Sequence, residues 1–279
     1  MKKVVFTVIA VSTLIFIVFL FLGSLFTEKD IDDQLSKLYG YNKGSEKFVI
    51  TDTTEIPIIV SKYLKYAVGS KTIIPNFAIV KQKALFRTSE KAQFSELEAV
   101  QHYSIKEPGF VWIADLKTSS IIPIKAIDTF INGKGNVLIK LLSSITISDE
   151  SGPQMDQSSL MRYYVEAPFI PFVLLPSNKV RWSLINQSTA KADILQNGMK
   201  TSMEVTFNPN GEIIKIFTED RFRTTNAGYV KSGFTARFKD YKEFEGIRIP
   251  TYAEIEWNEK DKDFLYGKFQ IESIEFIWK

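Results

Sequence analysis

Cysteine is absent from the 279 residues and histidine occurs once, at His102. That excludes a disulfide scaffold, a thiolate metal site, an iron–sulfur cluster and a cysteine nucleophile, and one imidazole cannot build a multi-histidine metal centre. A strong charge of either sign is also missing, since 35 Lys and Arg stand against 32 Asp and Glu. Binding to nucleic acid draws on neutralised phosphates, and a formal charge of +3 supplies little of that. There is no Gly-rich phosphate loop, no G-x-S-x-G elbow, no dinucleotide fingerprint and no internal repeat. A hydrophobic content of 45% excludes intrinsic disorder. No cofactor and no metal ligand set is expected.

What the chain does have is an uncharged, mostly apolar run from Val4 to Phe26, which as a helix extends roughly 35 Å, enough to cross a hydrocarbon core. Lys2 and Lys3 precede it, and Glu28, Asp30, Asp32 and Asp33 follow, so the positive-inside tendency places the N-terminus in the cytoplasm and the remainder outside. A cleaved signal peptide is the competing reading, but its apolar region is shorter and no A-x-A-like site follows Gly23–Ser24–Leu25. The expected organisation is a cytoplasmic tip at 1–3, a transmembrane anchor at 4–26, a polar linker with one helical turn at 27–51 and an extracytoplasmic β-rich domain at 52–279.

Within that domain Ile56, Ile59, Val60, Tyr63, Leu64 and Ala67 recur at helical spacing, with Pro57 suited to a first turn, Asp52 to Thr54 available as caps and Gly69 as a stop. Strands are predicted at about 76–88, 94–105, 109–118, 121–131 and 136–147, divided by turn chemistry such as Glu107–Pro108–Gly109 and Asn132–Gly133–Lys134–Gly135. In three of them apolar residues occupy both alternation classes, which requires cover on both faces of the sheet. A second helix is predicted from Pro153 to about Ala167, capped by Asp149 or Ser151, and Pro168, Pro171 and Pro176 then keep Phe169 to Leu175 out of regular helix. Later segments alternate cleanly, as in Met203, Val205 and Phe207 or Phe234, Ala236 and Phe238, with turns at Asn208 to Gly211 and Glu245–Gly246. The fold class is mainly β (α+β): a curved antiparallel sheet or half-barrel wrapped on helices, preceded by one N-terminal transmembrane helix.

The segment Asp149-Glu-Ser-Gly-Pro-Gln-Met-Asp-Gln-Ser-Ser-Leu-Met-Arg-Tyr-Tyr-Val-Glu166 resembles an uncharacterised bacterial domain-of-unknown-function family. Pro108-Gly109-Phe110-Val111-Trp112, the Leu175 to Trp182 stretch, Asp220-Arg221-Phe222-Arg223, and Gly246-Ile247-Arg248-Ile249-Pro250 with Glu254 and Trp257 are similar to the same pattern, over residues 55 to 279. Lys231–Ser232 departs from it where Pro-Trp is expected. The resemblance implies no activity, ligand or catalytic residue. More loosely, the element order is similar to the half-barrel of periplasmic lipoprotein carriers, which implies an apolar hollow able to hold acyl chains; architecture alone does not fix function.

Three groups of residues carry candidate chemistry. Phe169 and Phe172, with Trp112 and Trp182, form either the mouth of an apolar pocket or plain core. Arg162 with Glu166, and Asp220 with Arg221, Arg223, Arg248 and Glu254, form one network if strand pairing gathers them; such a network fixes register or binds an anionic headgroup bidentately. Asp149, Glu150 and Asp156 read as helix capping or a hard-cation site, although the spacing matches no calcium loop. His102 shares a strand face with Glu98 and reads as a solvated ladder more readily than as a general base. The ligand-binding candidates are therefore Trp112, Arg162, Glu166, Phe169, Phe172, Trp182, Arg221, Arg248 and Glu254, with no catalytic or metal residue. The expected partner is the lipid bilayer, together with a lipid or apolar ligand. A structural or sensory subunit docking an envelope protein is the alternative, and an envelope hydrolase using Asp156, Glu166, Arg162 and His102 is third.

Overall fold

A computed structural model of the chain describes residues 2–40, 46–47, 56–117, 123–225, 228–260 and 262–278. The caps expected at Asp52 to Thr54 lie outside them.

Helix α1 runs unbroken from Lys2 to Tyr39. The stretch after Phe26, read from its charges as a linker with one turn, thus continues the helix for about three more turns. Its charges sit on a wet face, while Thr27, Ile31, Leu35 and Leu38 recur three or four apart on the other. That stripe lies on the outer face of the sheet, where Leu38 and Leu35 pack with Val111, Ile113 and Ile131. The two-faced apolar strands have their outer cover here. Lys125 adds an ion pair to Glu28 at 3.6 Å and another to Asp115 at 3.1 Å.

Docking of α1 also overturns the solvated reading of His102. The ring is half-buried beneath Tyr39, whose hydroxyl lies 2.6 Å from Nδ1, and burial holds the imidazole pKa below its ordinary 6.5. An unfolded chain then carries more protons than the folded one between the lowered value and 6.5. The contribution is complete above 6.5 and is lost as pH falls through the folded pKa. Thermal midpoints followed from pH 8 to pH 5 are expected to drop less steeply for His102→Gln than for the unsubstituted protein.

Thirteen strands form one antiparallel sheet. In chain order they are β1 Phe77–Phe86, β2 Ser95–Ser104, β3 Gly109–Lys117, β4 Ile124–Ile131, β5 Lys134–Leu141, β6 Ile145–Ser151, β7 Val180–Asn186, β8 Thr189–Gln196, β9 Met199–Phe207, β10 Ile213–Thr225, β11 Gly228–Phe244, β12 Ile247–Asn258 and β13 Phe264–Ile277. Every neighbouring pair is consecutive except one, because β13 returns to pair with β1. The edges are therefore β6 and β7, and the chain crosses between them through helix α3, Pro153–Val165, and two short 3-10 turns, Ala167–Phe169 and Pro171–Leu174.

This crossover lies inside the curve of the sheet, with α3 packed against both β5 and β10. Helix α2, Ile58–Val68, ends at Gly69 (φ +57°) and lays Val60, Tyr63, Leu64 and Ala67 against β12 and the second 3-10 turn. Tyr103, Phe110, Phe130, Leu160, Met161, Tyr163 and Phe234 are completely buried, so the middle of the hollow is solid.

Two expectations change. The strand predicted at 136–147 is two strands, β5 and β6, divided by a tight turn at Leu142–Ser143 that contains neither Gly nor Asn and so gave no turn signal. Helix α3 begins after Gly152 with no side-chain cap: Asp149 accepts from the Asn136 amide at 2.7 Å, and Glu150 accepts from Thr224. Asp156 instead ties the first turn of α3 to the sheet, taking the Gly135 N–H and the Lys134 ammonium, each at 2.8 Å.

Candidate functional site

One polar and charged cluster occupies the inward face of β1 to β4. Alternation on β1 to β4 turns Gln82, Gln101, Tyr103, Trp112 and Asp128 toward α3, which contributes Arg162 and Glu166 one turn apart. Arg162 donates through Nε to Glu166 Oε1 at 2.8 Å and through Nη1 to Asp128. The other Glu166 oxygen accepts from Gln101 Nε2 and the Tyr103 hydroxyl, both at 2.8 Å, and Gln82 bonds Gln101 in turn. The Arg162 guanidinium lies 4.9 Å from the ring centres of both Phe110 and Trp112, which suits a desolvated cation.

Arg221 joins from the opposite side of the hollow because of a β-bulge. Thr218 pairs with Phe234 and Arg221 with Ser232, so three steps on β10 match two on β11. The extra residue reverses the alternation: Arg221 turns inward, while Asp220 turns outward to Lys231 and the Ser202 N–H. The Arg221 guanidinium lies 4.2 Å from Phe234 and 5.1 Å from Trp257.

Electrostatics follow from depth and charge balance. Burial would lower the Arg162 pKa, but Glu166 and Asp128 outweigh it and raise the value. Burial lowers that of Arg221, which has no bonded carboxylate among the described residues to compensate. Burial raises the Asp128 carboxyl against the pull of Arg162. Among the described residues Asp128 Oδ1, Trp112 Nε1 and Arg221 Nε are buried without a hydrogen-bond partner. Two donors and one acceptor thus lie unpaired in the hollow beside the Arg162 network.

The other sequence candidates sit elsewhere. Arg248 and Glu254 both occupy the outward class on β12: Arg248 pairs with Glu243 at 3.1 Å, and Glu254 takes the Tyr252 hydroxyl at 2.7 Å with Lys268 nearby. The single network expected from Asp220, Arg221, Arg223, Arg248 and Glu254 is therefore divided by the pleat, with Arg223 ion-paired to Glu259. Trp182 is core, its indole N–H bonded to Leu174 O at 3.0 Å, and Phe169 packs edge-on against Phe238. No group of three or more His, Asp or Glu among the described residues could hold a metal ion.

Open space lies at the rim. A cleft of about 770 Å³ opens where the β2–β3, β4–β5 and β8–β9 turns meet the 3-10 segment. Ile105, Tyr164, Phe172 and Val180 form its buried floor, Val173 and Leu175 its half-buried wall, and Lys106, Glu107, Asn178 and Lys179 its polar edge. Lys179 reaches Glu107 at 2.9 Å across that edge, and Leu38 from α1 closes one side. Phe172 is thus the aromatic candidate that lines this cleft. Residue spacing gave no sign of the rest of the cleft because the turns that complete it are separate in the chain. Asp128 was legible in principle as a lone acid in the apolar run Ile124 to Ile131.

A family of unknown function, DUF6920, matches the chain over residues 54–276. A search of curated proteins returned no match. Among solved structures, a domain of a putative outer membrane lipoprotein-sorting protein from Vibrio parahaemolyticus is similar at 11% identity and a TM-score of 0.40, over 72% of this chain and 85% of that one. A LolA-superfamily protein from Nitrosomonas europaea is similar at 8% identity with the same TM-score, over 78% and 91%.

Proposed function

The chain belongs to the DUF6920 family of unknown function, and we propose that this member is a membrane-anchored, extracytoplasmic domain that holds an apolar or amphipathic, lipid-like molecule in the rim cleft. The observation that carries the reading is the cleft itself. Its volume of about 770 Å³ is within the range of small-molecule sites, and an apolar floor beneath a lysine-bearing edge suits an acyl chain with an anionic or polar head. Helix α1, long and apolar enough to cross a bilayer, supports placement beside a lipid source. The ion cluster in the hollow has the character of an internal brace, with Arg162 of α3 bonded to Asp128, which β4 carries, and to Glu166, which takes bonds from Gln101 and Tyr103 of the sheet.

The test is lipid extraction and mass spectrometry of the full chain purified in detergent, with binding of a fluorescent fatty acid measured in parallel. Val173→Trp and Leu175→Trp fill the cleft from half-buried positions and are expected to weaken probe binding by at least roughly tenfold. Absence of both co-purified lipid and probe binding, or equal binding by the filled variants, overturns the reading.

A further inference from the structure

The turn that divides β5 from β6 is conformationally unusual. Leu142 and Ser143 both hold left-handed backbone, φ +52° and +54°, where tight hairpins ordinarily use Gly, Asn or Asp. A leucine persists in such a conformation only when its surroundings over-determine it.

Those surroundings are α1. The Ser144 hydroxyl donates to Leu20 O at 2.6 Å, and the Thr27 hydroxyl donates to Ser143 O at 2.7 Å. A Cβ on Gly23 would stand 2.7 Å from Ser144 Cβ, so only glycine admits the turn this close to the helix. Leu20 belongs to the apolar run and lies six residues, about 9 Å, before its end at Phe26. If the run spans the bilayer, the turn is held where the acyl chains meet the headgroups.

Polar groups at that depth need partners within the protein. Here the Leu142 N–H bonds Pro123 O at 2.9 Å and the Ser144 N–H bonds Leu141 O at 3.1 Å, while the Ser143 carbonyl and the Ser144 hydroxyl are taken by α1 as described. On the adjoining edge strand Ile147 leaves 55% of its surface open.

We propose that the β5–β6 turn, with Leu142 at its tip and Ile147 beside it, is a second membrane contact that seats in the headgroup–acyl boundary of the leaflet next to the domain. The proposal rests on the reading of α1 as a membrane anchor, and its test separates the two.

Because the chain has no cysteine, single cysteines can be placed without background. Nitroxide labels at Leu142→Cys, Ile147→Cys, Val11→Cys in the anchor and Lys242→Cys on an exposed part of β11 would be compared in the full chain, reconstituted in phosphatidylcholine–phosphatidylglycerol vesicles. Collision with oxygen, which concentrates among acyl chains, is set against collision with a water-soluble nickel chelate. The expected result is an oxygen-to-nickel ratio at 142 and 147 between that of Val11→Cys and that of Lys242→Cys. Ratios at 142 and 147 equal to Lys242→Cys, with Val11→Cys buried in lipid, overturn the second contact alone. A water-exposed Val11→Cys overturns the anchor and this proposal together. Ile147→Cys sits outside the strained turn, so the test survives a failure of Leu142→Cys to fold.

Discussion

Arg162→Met is expected to destabilise the protein by about 3–5 kcal/mol, the usual cost of removing one partner from a buried ion pair. The methionine roughly matches the aliphatic stem, but Asp128 and Glu166 lose the cation that each contacts. Glu166 keeps Gln101 and Tyr103. Asp128 keeps no described partner, since Oδ2 bonds only Arg162 and Oδ1 is already unpartnered. The loss shows as a lower denaturant midpoint at unchanged m-value. Burial already raises the Asp128 carboxyl, and without Arg162 it rises further. A raised carboxyl favours the folded state where it is protonated, so the deficit of the variant shrinks as pH falls from 7 toward 4. A deficit that is constant with pH would mean the cluster acts by packing alone.

Gly135→Val is expected to cost about 3 kcal/mol, at the upper end of overpacking substitutions. Gly135 is inward on β5 directly beneath α3, where a Cβ would stand 2.6 Å from Met155 O and 2.5 Å from Ser159 Oγ. The serine hydroxyl can rotate, but the methionine carbonyl belongs to the helix backbone and cannot yield without moving α3. That movement also lengthens the bond from the Gly135 N–H to Asp156, which joins the helix to the sheet. Thermal unfolding should show the loss, and Ser159→Ala in the same chain should recover only part of it, because the backbone clash remains.

Much of the fold was legible because it rests on short-range rules. Two-residue alternation gave the strands of the second half, and Pro57 and Gly69 bracketed α2 to within a residue. Two-faced apolar character on β3 and β4 demanded an outer cover, although the sequence did not identify its source as the end of α1. Charges at Glu28, Asp30, Asp32 and Asp33 masked the helical stripe of Ile31, Leu35 and Leu38, whose apolar residues are sparse and make sense only against a surface. The turn at Leu142–Ser143 was invisible because its conformation is imposed by α1 and not by its own residues.

Legibility at the candidate site divides the same way. Arg162 and Glu166 are four apart on one helix, so their pairing needed nothing beyond helical geometry. Arg221 was named with its neighbours, but which of Asp220 and Arg221 faces inward depends on a bulge set by pairing with β11. Arg248 and Glu254 were assigned to the network on the expectation that strand pairing gathers them, whereas pleat parity carries them to the other face. Of the rim cleft only the Phe172 to Pro176 side lay in a segment the sequence marked as a pocket mouth or core; the hairpin turns that complete it are distant in the chain and carry no linear signature.

One rod of α-helix carries the apolar run and also braces the sheet, so the proposed anchoring fixes an altitude. Leu38, at the wall of the cleft, is twelve residues beyond Phe26, about 18 Å along the axis. A greasy guest cannot slide from the leaflet to that height without crossing water. On the proposed anchoring, therefore, the cleft exchanges its guest well above the leaflet, and the unbroken helix sets that distance.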